Sequence, residues 1–252
     1  MRIVGMQKLT LLDYPGRTAA TLFTPGCNYR CPFCHNGELV ALSEPLALAS
    51  EPGLALSTED VLAFLRKRQG LLDGVCISGG EPLLQPDLAR FCEELRVLGY
   101  AVKIDTNGSQ PQHLRELLDA SLVDYVAMDV KNAPARYAET TGLPDAHLEE
   151  IRSSIALLAE RAPAFELRTT VVRELHTQQD LCALSQWLAR QMASAPRGAH
   201  HKPVPWYIQN FKDSDTVLTG KGSLHPWQED DLRTVLPLLQ EAMPSARLRG
   251  VA

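Results

Sequence analysis

Long apolar runs are missing from this chain. No uninterrupted stretch among its 252 residues approaches the roughly 18 apolar residues that span a bilayer, so no membrane-spanning helix is expected. A basic excess is missing as well, because 25 Lys and Arg stand against 30 Asp and Glu and give a formal charge of -5. Without a positive field, neither a nucleic acid nor a membrane surface is expected as a partner. The opening stretch MRIVGMQKLTLLDYPG breaks its apolar character with Lys8, Asp13 and Pro15 and lacks the apolar segment and small-residue cleavage site of an export signal. The expected location is the cytoplasm, where thiols stay reduced and clustered cysteines serve metal or catalysis more often than disulfides. A disordered composition is also absent: 45% of the residues are hydrophobic and 22% charged.

What is present is an alternation of short β-rich runs with amphipathic helices. This pattern predicts a parallel sheet with helical crossovers, and 252 residues suffice for one large α/β barrel domain. The predicted strands are 18–24, 74–78, 101–106, 124–130, 165–172 and 204–211. Between them, STEDVLAFLRKRQG starts at Ser57 or Thr58, places Val61, Leu62, Phe64 and Leu65 on one face, and stops at Gly70. DLARFCEELRVLG repeats the design with Leu88, Phe91, Cys92 and Leu95 inside and Gly99 at its end. Further helices are expected over 111–120, 146–161, 178–193 and 227–242. The Pro- and Ala-rich stretch 43–57 and the stretch 194–205, with its paired His200 and His201, are read as loops. The chain is treated as a single domain over 1–252, with a barrel core over 18–211 and a C-terminal helix and tail over 226–252.

The cysteines are unevenly placed. Cys27, Cys31 and Cys34 have the spacing C-x3-C-x2-C, while Cys76, Cys92 and Cys182 lie far apart. Structural zinc takes four closed ligands, usually from two knuckles. No second knuckle exists, and His35, next to Cys34, is poorly placed to complete one tetrahedron. Core cysteines sit singly on apolar faces, which describes Cys76, Cys92 and Cys182. The trio instead follows a strand end, after Pro25 and Gly26 and among Asn28, Arg30 and Asn36, where barrel folds build sites. Three thiolates suit a cuboidal iron-sulfur cluster with one iron left for a substrate or cofactor.

The stretch CNYRCPFC resembles the cluster motif of the radical S-adenosylmethionine (SAM) enzymes, C-x3-C-x-aromatic-C. SGGEP, residues 78–82, follows a predicted strand where that family carries a Gly-Gly-Glu segment; there glycines let backbone approach closely and a carboxylate meets the SAM ammonium. DTNG, 105–108, and MDVK, 128–131, end strands with polar residues that an apolar core would not select. The ordered set LLDYPG, FTPGCNYRCPFCHNGELV, GLLDGVCISGGEPLLQ, KIDTNG, VDYVAMDVKNAP and FELRTTVV looks like the anaerobic ribonucleoside-triphosphate reductase activating proteins, within the glycyl-radical enzyme activating family.

This resemblance implies a partial (β/α)6 TIM-like barrel of the radical SAM type. It implies a 4Fe-4S cluster on Cys27, Cys31 and Cys34 whose fourth iron is bound by SAM. Phe33 would lie beside the adenine, and Ser78, Gly79, Gly80 and Glu81 would line the SAM pocket together with Thr106, Asn107, Asp129 and Lys131. A monovalent cation would sit on Asp105, Thr106 and Asp129. The implied chemistry is reductive cleavage of SAM to a 5'-deoxyadenosyl radical that abstracts hydrogen from a glycine of a partner enzyme. A low-potential donor such as flavodoxin or ferredoxin would supply the electron. Asp13 is read as lining the substrate entrance, although Asp13, Pro15 and Gly16 equally form a plain turn. One departure stands out: the related pyruvate formate-lyase activators carry a SAM-contacting histidine near the last barrel strand, where this chain has Gln209, Asn210 and Phe211. No second cysteine cluster separates the first motif from SGGEP, so an auxiliary ferredoxin-like domain is not expected. The alternatives are a radical SAM enzyme for another glycyl-radical partner or a small molecule, and a non-catalytic iron-sulfur or zinc protein.

Overall fold

The computed structural model describes residues 1–42, 56–145, 147–194 and 203–251. The stretch 43–55 of the expected insertion, and His200 and His201, lie outside the described residues. Eight strands are present among the described residues, and within each of two compact units they are hydrogen-bonded in chain order. The chain divides into two compact units: Met1–Asn28, Glu38–Thr106 and Gln112–Val126 form the first, and Tyr29–Gly37, Asn107–Pro111 and Ala127–Ala252 the second.

The first unit contains β1 (Gly5–Thr10), β2 (Ala19–Thr24), β3 (Gly74–Gly79) and β4 (Ala101–Thr106). β1 runs antiparallel to β2, and β2, β3 and β4 are parallel. The parallel register aligns Thr21 with Cys76 and Cys76 with Lys103, while Leu22, Ile77 and Ile104 share the opposite face. One face of this sheet is therefore apolar and the other carries polar side chains inside the protein. The helices after α1 (Gly37–Ala41) follow the apolar periodicity. α2 (Thr58–Arg66) buries Val61, Leu62 and Leu65, and α3 (Leu88–Val97) buries Leu88, Phe91, Cys92 and Leu95. Phe64 departs from the expected face: it is half-buried beneath the cations of Lys8 and Arg68, 5.9 and 5.3 Å from its ring centroid. α4 spans Pro111–Asp119.

β5 (Tyr125–Asp129) begins in the first unit and ends in the second. The second unit continues with α5 (Tyr137–Thr141), α6 (Leu148–Arg161), β6 (Phe165–Val171), α7 (Gln178–Ser194), β7 (Trp206–Asn210), α8 (Glu229–Ala242) and β8 (Ala246–Arg249). β6, β7 and β8 are parallel. The six strands expected from the sequence are all present, and β1 and β8 are additions to them. The residues after α8, expected as a tail, pair as a strand. ARLR has no apolar period to announce this; what holds it is Arg249, whose guanidinium donates two 2.8 Å bonds to buried Glu166 and stacks 3.5 Å from the centroid of the Tyr207 ring. Cys76 and Cys92 are fully buried as expected, but Cys182 is only half-buried on α7, which corrects its assignment to the core.

Candidate functional site

In the first unit, the ends of β2 and β3 meet through backbone alone. Gly80 N donates to Thr24 O at 2.9 Å, and Glu81 N donates to Gly26 O at 2.8 Å. A Cβ at Gly80 would lie 1.8 Å from Gly26 O, and one at Gly79, where φ is +121°, would lie 2.3 Å from Thr24 N. The glycine pair of SGGEP is thus required by the close approach to the Thr24–Gly26 segment, one residue before Cys27. Ser78, half-buried, accepts on its carbonyl from Thr24 Oγ1 at 3.1 Å.

Glu81 is buried, and its Oε1 accepts from Leu83 N at 3.1 Å and from Thr106 Oγ1 at 2.7 Å. The first bond caps the short 3-10 turn Pro82–Leu84. The second ties the end of β3 to the end of β4, so the carboxylate is held in place by two neutral donors on one oxygen. Asp105, two residues beyond Lys103 on the same face of β4, is hydrogen-bonded by the Lys103 ammonium. Asp13 lies in the turn between β1 and β2, at the N-terminal end of the parallel strands, where Tyr14 packs against Ala19 and Ala101. Its carboxylate accepts from Thr21 Oγ1 at 2.6 Å, which directs it onto the polar face shared with Cys76 and Lys103.

In the second unit, Cys31 and Phe33 are buried and Cys34 is half-buried. Cys34 N donates to Cys31 O at 3.0 Å, closing a tight turn. A segment far along the chain fixes this turn from outside: Leu218 N donates to Cys34 O at 2.9 Å, and Thr219 Oγ1 donates to Pro32 O at 3.0 Å. His35 Nε2 lies 2.5 Å from Lys212 O, so its ring tethers the loop to that segment and turns away from any role as a fourth ligand.

Asp129, at the end of β5, receives Arg168 Nε on Oδ1 at 2.8 Å and Lys131 Nζ on Oδ2 at 3.0 Å. Burial pushes the Asp129 carboxyl up, yet Arg168 and then Lys131 outweigh it and hold it well below the usual carboxylate range. Burial likewise works against the Lys131 charge, but Asp129 first and the Cys31 thiolate next raise the ammonium above its ordinary value. Lys131 Nζ also lies 6.0 Å from the Phe33 ring centroid. The Lys131 and Arg168 cations thus bond the two oxygens of one carboxylate, Asp129. Asn107 takes a local role, with Oδ1 accepting from Ser109 N at 2.9 Å.

Two residues here were not singled out from the sequence. Arg168 lies in FELRTTVV, read only as a strand; the signal available was the spacing of Glu166 and Arg168, two charges on one face of a buried strand. His176 is buried, with Nε2 donating to Lys131 O at 2.8 Å, Nδ1 accepting from Val172 N at 3.1 Å, and the Phe33 ring edge-on at 6.4 Å. It therefore positions both Lys131 and Phe33. Burial pushes its pKa down, so the folded chain refuses a proton that the unfolded chain accepts as pH falls through about 6.5. Stability from this group is complete above that pH and lost below it. Denaturant unfolding should show a drop between pH 7.5 and 5.5 that is smaller in His176→Gln; equal drops in both proteins would remove His176 as the cause.

The model of the Radical SAM superfamily matches residues 21–179, well over half of the chain. The chain belongs to the radical SAM superfamily. Radical SAM enzymes use a 4Fe-4S cluster and SAM, and Cys27, Cys31 and Cys34 fit their C-x3-C-x2-C motif. Among similar proteins, one from Methanocaldococcus jannaschii, inferred to be a glycyl-radical enzyme activating enzyme, is 35% identical over 190 residues, covering 71% of this chain and 72% of its own. The pyruvate formate-lyase-activating enzyme of Staphylococcus aureus is 30% identical over 153 residues, covering 57% of this chain and 59% of its own length. Coproporphyrinogen III oxidase of Escherichia coli, a radical SAM enzyme, shares the fold with a TM-score of 0.57 at 14% identity, over 92% of this chain and 54% of that one. The α/β radical SAM fold class expected from the sequence is thereby borne out. Among the described residues no group of three His, Cys, Asp or Glu side chains forms a metal site by itself, so the cluster assignment rests on the radical SAM motif and family. No helix among them is long and apolar enough to cross a membrane.

Proposed function

We propose that this protein is a cytoplasmic radical SAM activase that generates a glycyl radical on a partner enzyme, with anaerobic ribonucleoside-triphosphate reductase as that partner. The observation that carries the reading is the Lys131–Asp129–Arg168 group beside Phe33 of the cysteine motif. It offers fixed positive charge next to a buried aromatic ring, which suits the carboxylate and the adenine of SAM. In this reading Cys27, Cys31 and Cys34 hold the cluster, and Glu81 receives the SAM ammonium while Thr106 and the Leu83 amide hold its carboxylate in place. Gly79, Gly80, Ser78 and Asn107 shape the backbone of the pocket. The donor set fits both groups, with thiolates for iron, a carboxylate for an ammonium and cations for a carboxylate. When bound, cluster and SAM supply a one-electron reductive C–S cleavage, with flavodoxin or ferredoxin as donor. The chain itself positions, orients and excludes water: Cys31 and Phe33 are 6% and 4% exposed.

Arg168 is a positioning residue that acts through Asp129. Arg168→Ala should weaken SAM binding about tenfold, the equivalent of about 1.4 kcal/mol, with the cluster spectrum retained; unchanged affinity would remove it from the pocket. The entrance role expected of Asp13 is not part of this reading, because Asp13 lies at the N-terminal ends of the parallel strands, opposite the strand ends that lead into Cys27 and SGGEP, and its carboxylate is taken by Thr21.

The test is anaerobic reconstitution with iron and sulfide, followed by SAM, reductant and the reductase. Release of 5'-deoxyadenosine together with a glycyl-radical resonance on the reductase is the expected result. Absence of 5'-deoxyadenosine would favour a non-catalytic iron-sulfur protein. Cleavage without a radical on the reductase would point to another glycyl-radical enzyme or a small molecule.

A further inference from the structure

Lys103 is a charged residue in an unusual place. It sits in the middle of β4, is 1% exposed, and shares the polar face with Thr21 and Cys76. Its ammonium donates to Asp105 Oδ1 and lies 3.6 Å from Cys76 Sγ. A buried ammonium is tolerated only when its charge is matched, so Lys103 and Asp105 hold each other in place.

Asp105 is one of the two carboxylates on which the sequence resemblance implied a monovalent cation. Hard cations seek oxygen donors with uncompensated negative charge. Here the Asp105 charge is met by Lys103, and in the second unit the Asp129 charge is met by Lys131 and Arg168. Thr106, the third implied ligand, donates its hydroxyl to Glu81. A further cation at Asp105 would have to lie against an ammonium with no room to turn away, because the Lys103 side chain is buried within the strand layer. The residues present do not fit the ion.

We infer that Lys103 supplies from within the chain the positive charge that a bound monovalent cation was expected to supply, so that this protein binds SAM without potassium or sodium. Lys103 is then a positioning residue: it fixes the Asp105 carboxylate at the end of β4, adjacent in sequence to Thr106. Removing its charge at nearly constant length, as in Lys103→Met, takes one positive charge from this buried layer and should create the cation dependence that the native chain lacks.

The experiment uses the full chain, wild type and Lys103→Met, in potassium chloride and in choline chloride at equal ionic strength. The first arm needs no SAM: thallium-205 resonance reads direct cation binding, and thermal unfolding reads stabilisation by potassium. Wild type should show no saturable thallium binding and the same Tm in both salts, whereas Lys103→Met should show saturable binding and a potassium-dependent Tm. The second arm rests on the functional reading above and measures SAM affinity of the reconstituted protein. Wild-type affinity should change less than about twofold between salts, and that of Lys103→Met should fall about tenfold in choline and recover in potassium. Saturable thallium binding by wild type, or a tenfold gain in its SAM affinity with potassium, overturns the inference. If Lys103→Met does not fold, the wild-type arms still decide, and Lys103→Arg should remain insensitive to potassium. A wild type that binds neither thallium nor SAM overturns the functional reading and with it the clause on SAM, while the absence of thallium binding still supports the replacement of the cation by Lys103.

Discussion

Alanine at Cys31 is expected to abolish both the iron-sulfur spectrum of the reconstituted protein and its reductive cleavage of SAM. The same holds for Cys27 and Cys34. In the proposed reading each thiolate would ligate one iron, and no other cysteine is close in sequence to replace it, since the remaining three lie at 76, 92 and 182. The rate of 5'-deoxyadenosine formation should fall by at least about three orders of magnitude, roughly 4 kcal/mol of barrier. The effect should be chemical and leave the fold intact. The turn that carries Cys31 and Cys34 is held by backbone bonds from Cys34, Leu218 and Thr219, none of which uses a cysteine side chain as donor or acceptor. Circular dichroism should therefore match wild type. Cys182→Ala is the control: half-buried on α7, it should keep cluster and activity. An intact, active cluster in Cys31→Ala would defeat the assignment.

Alanine at Gly80 is expected to produce the opposite pattern, a loss of fold that takes activity with it. The new Cβ would stand 1.8 Å from Gly26 O. Relief requires moving the β3 end away from the Gly26 segment, which breaks the bonds from Gly80 N to Thr24 O and from Glu81 N to Gly26 O. The cost should reach about 3 kcal/mol or more, at or above the upper end for overpacked sites, and lower Tm by roughly 6–12 °C. The segment displaced leads directly into Cys27, so iron incorporation should also fall. Gly70→Asn supplies the comparison: Gly70 also has a positive φ, +76°, but nothing lies within 4 Å of its Cβ position. Its substitution should change Tm only slightly. Equal stability of Gly80→Ala and wild type would show that the two backbones do not approach as closely as described.

The two variants separate what is written locally from what is written at a distance. The cysteine motif occupies eight consecutive residues, so its spacing was legible without knowledge of the fold. The six expected strands and the helices between them were legible for a similar reason: periods of two and of about 3.6 are local properties of a chain. Gly79 and Gly80 were legible as residues that permit close approach, but the partner, Thr24–Gly26, is some 55 positions away and only strand pairing brings it near.

Charge pairing was least legible. Lys103 in AVKIDT was not singled out from the sequence, yet it is inside and its ammonium pairs with Asp105. Arg168 and His176 were anonymous because what they serve, Asp129, Lys131 and Phe33, comes from other elements. Phe64 and Cys182 were misread because apolar spacing marks a helix face without saying how wide the covered stripe is. β8 escaped notice because its four residues are stabilised by Glu166 and Tyr207 from the neighbouring strands and not by their own pattern.

The sequence by itself determined the order of the six expected strands and the long helices between them, the three-cysteine motif and the glycine-rich turn after β3, because each depends on residues close in the chain. Only the tertiary structure decided which charge meets which, and with it that Asp105 is matched by Lys103 and Asp129 by Lys131 and Arg168. The reason is physical: hydrogen bonds and ion pairs act over a few ångströms, and folding alone decides which residues come within that range.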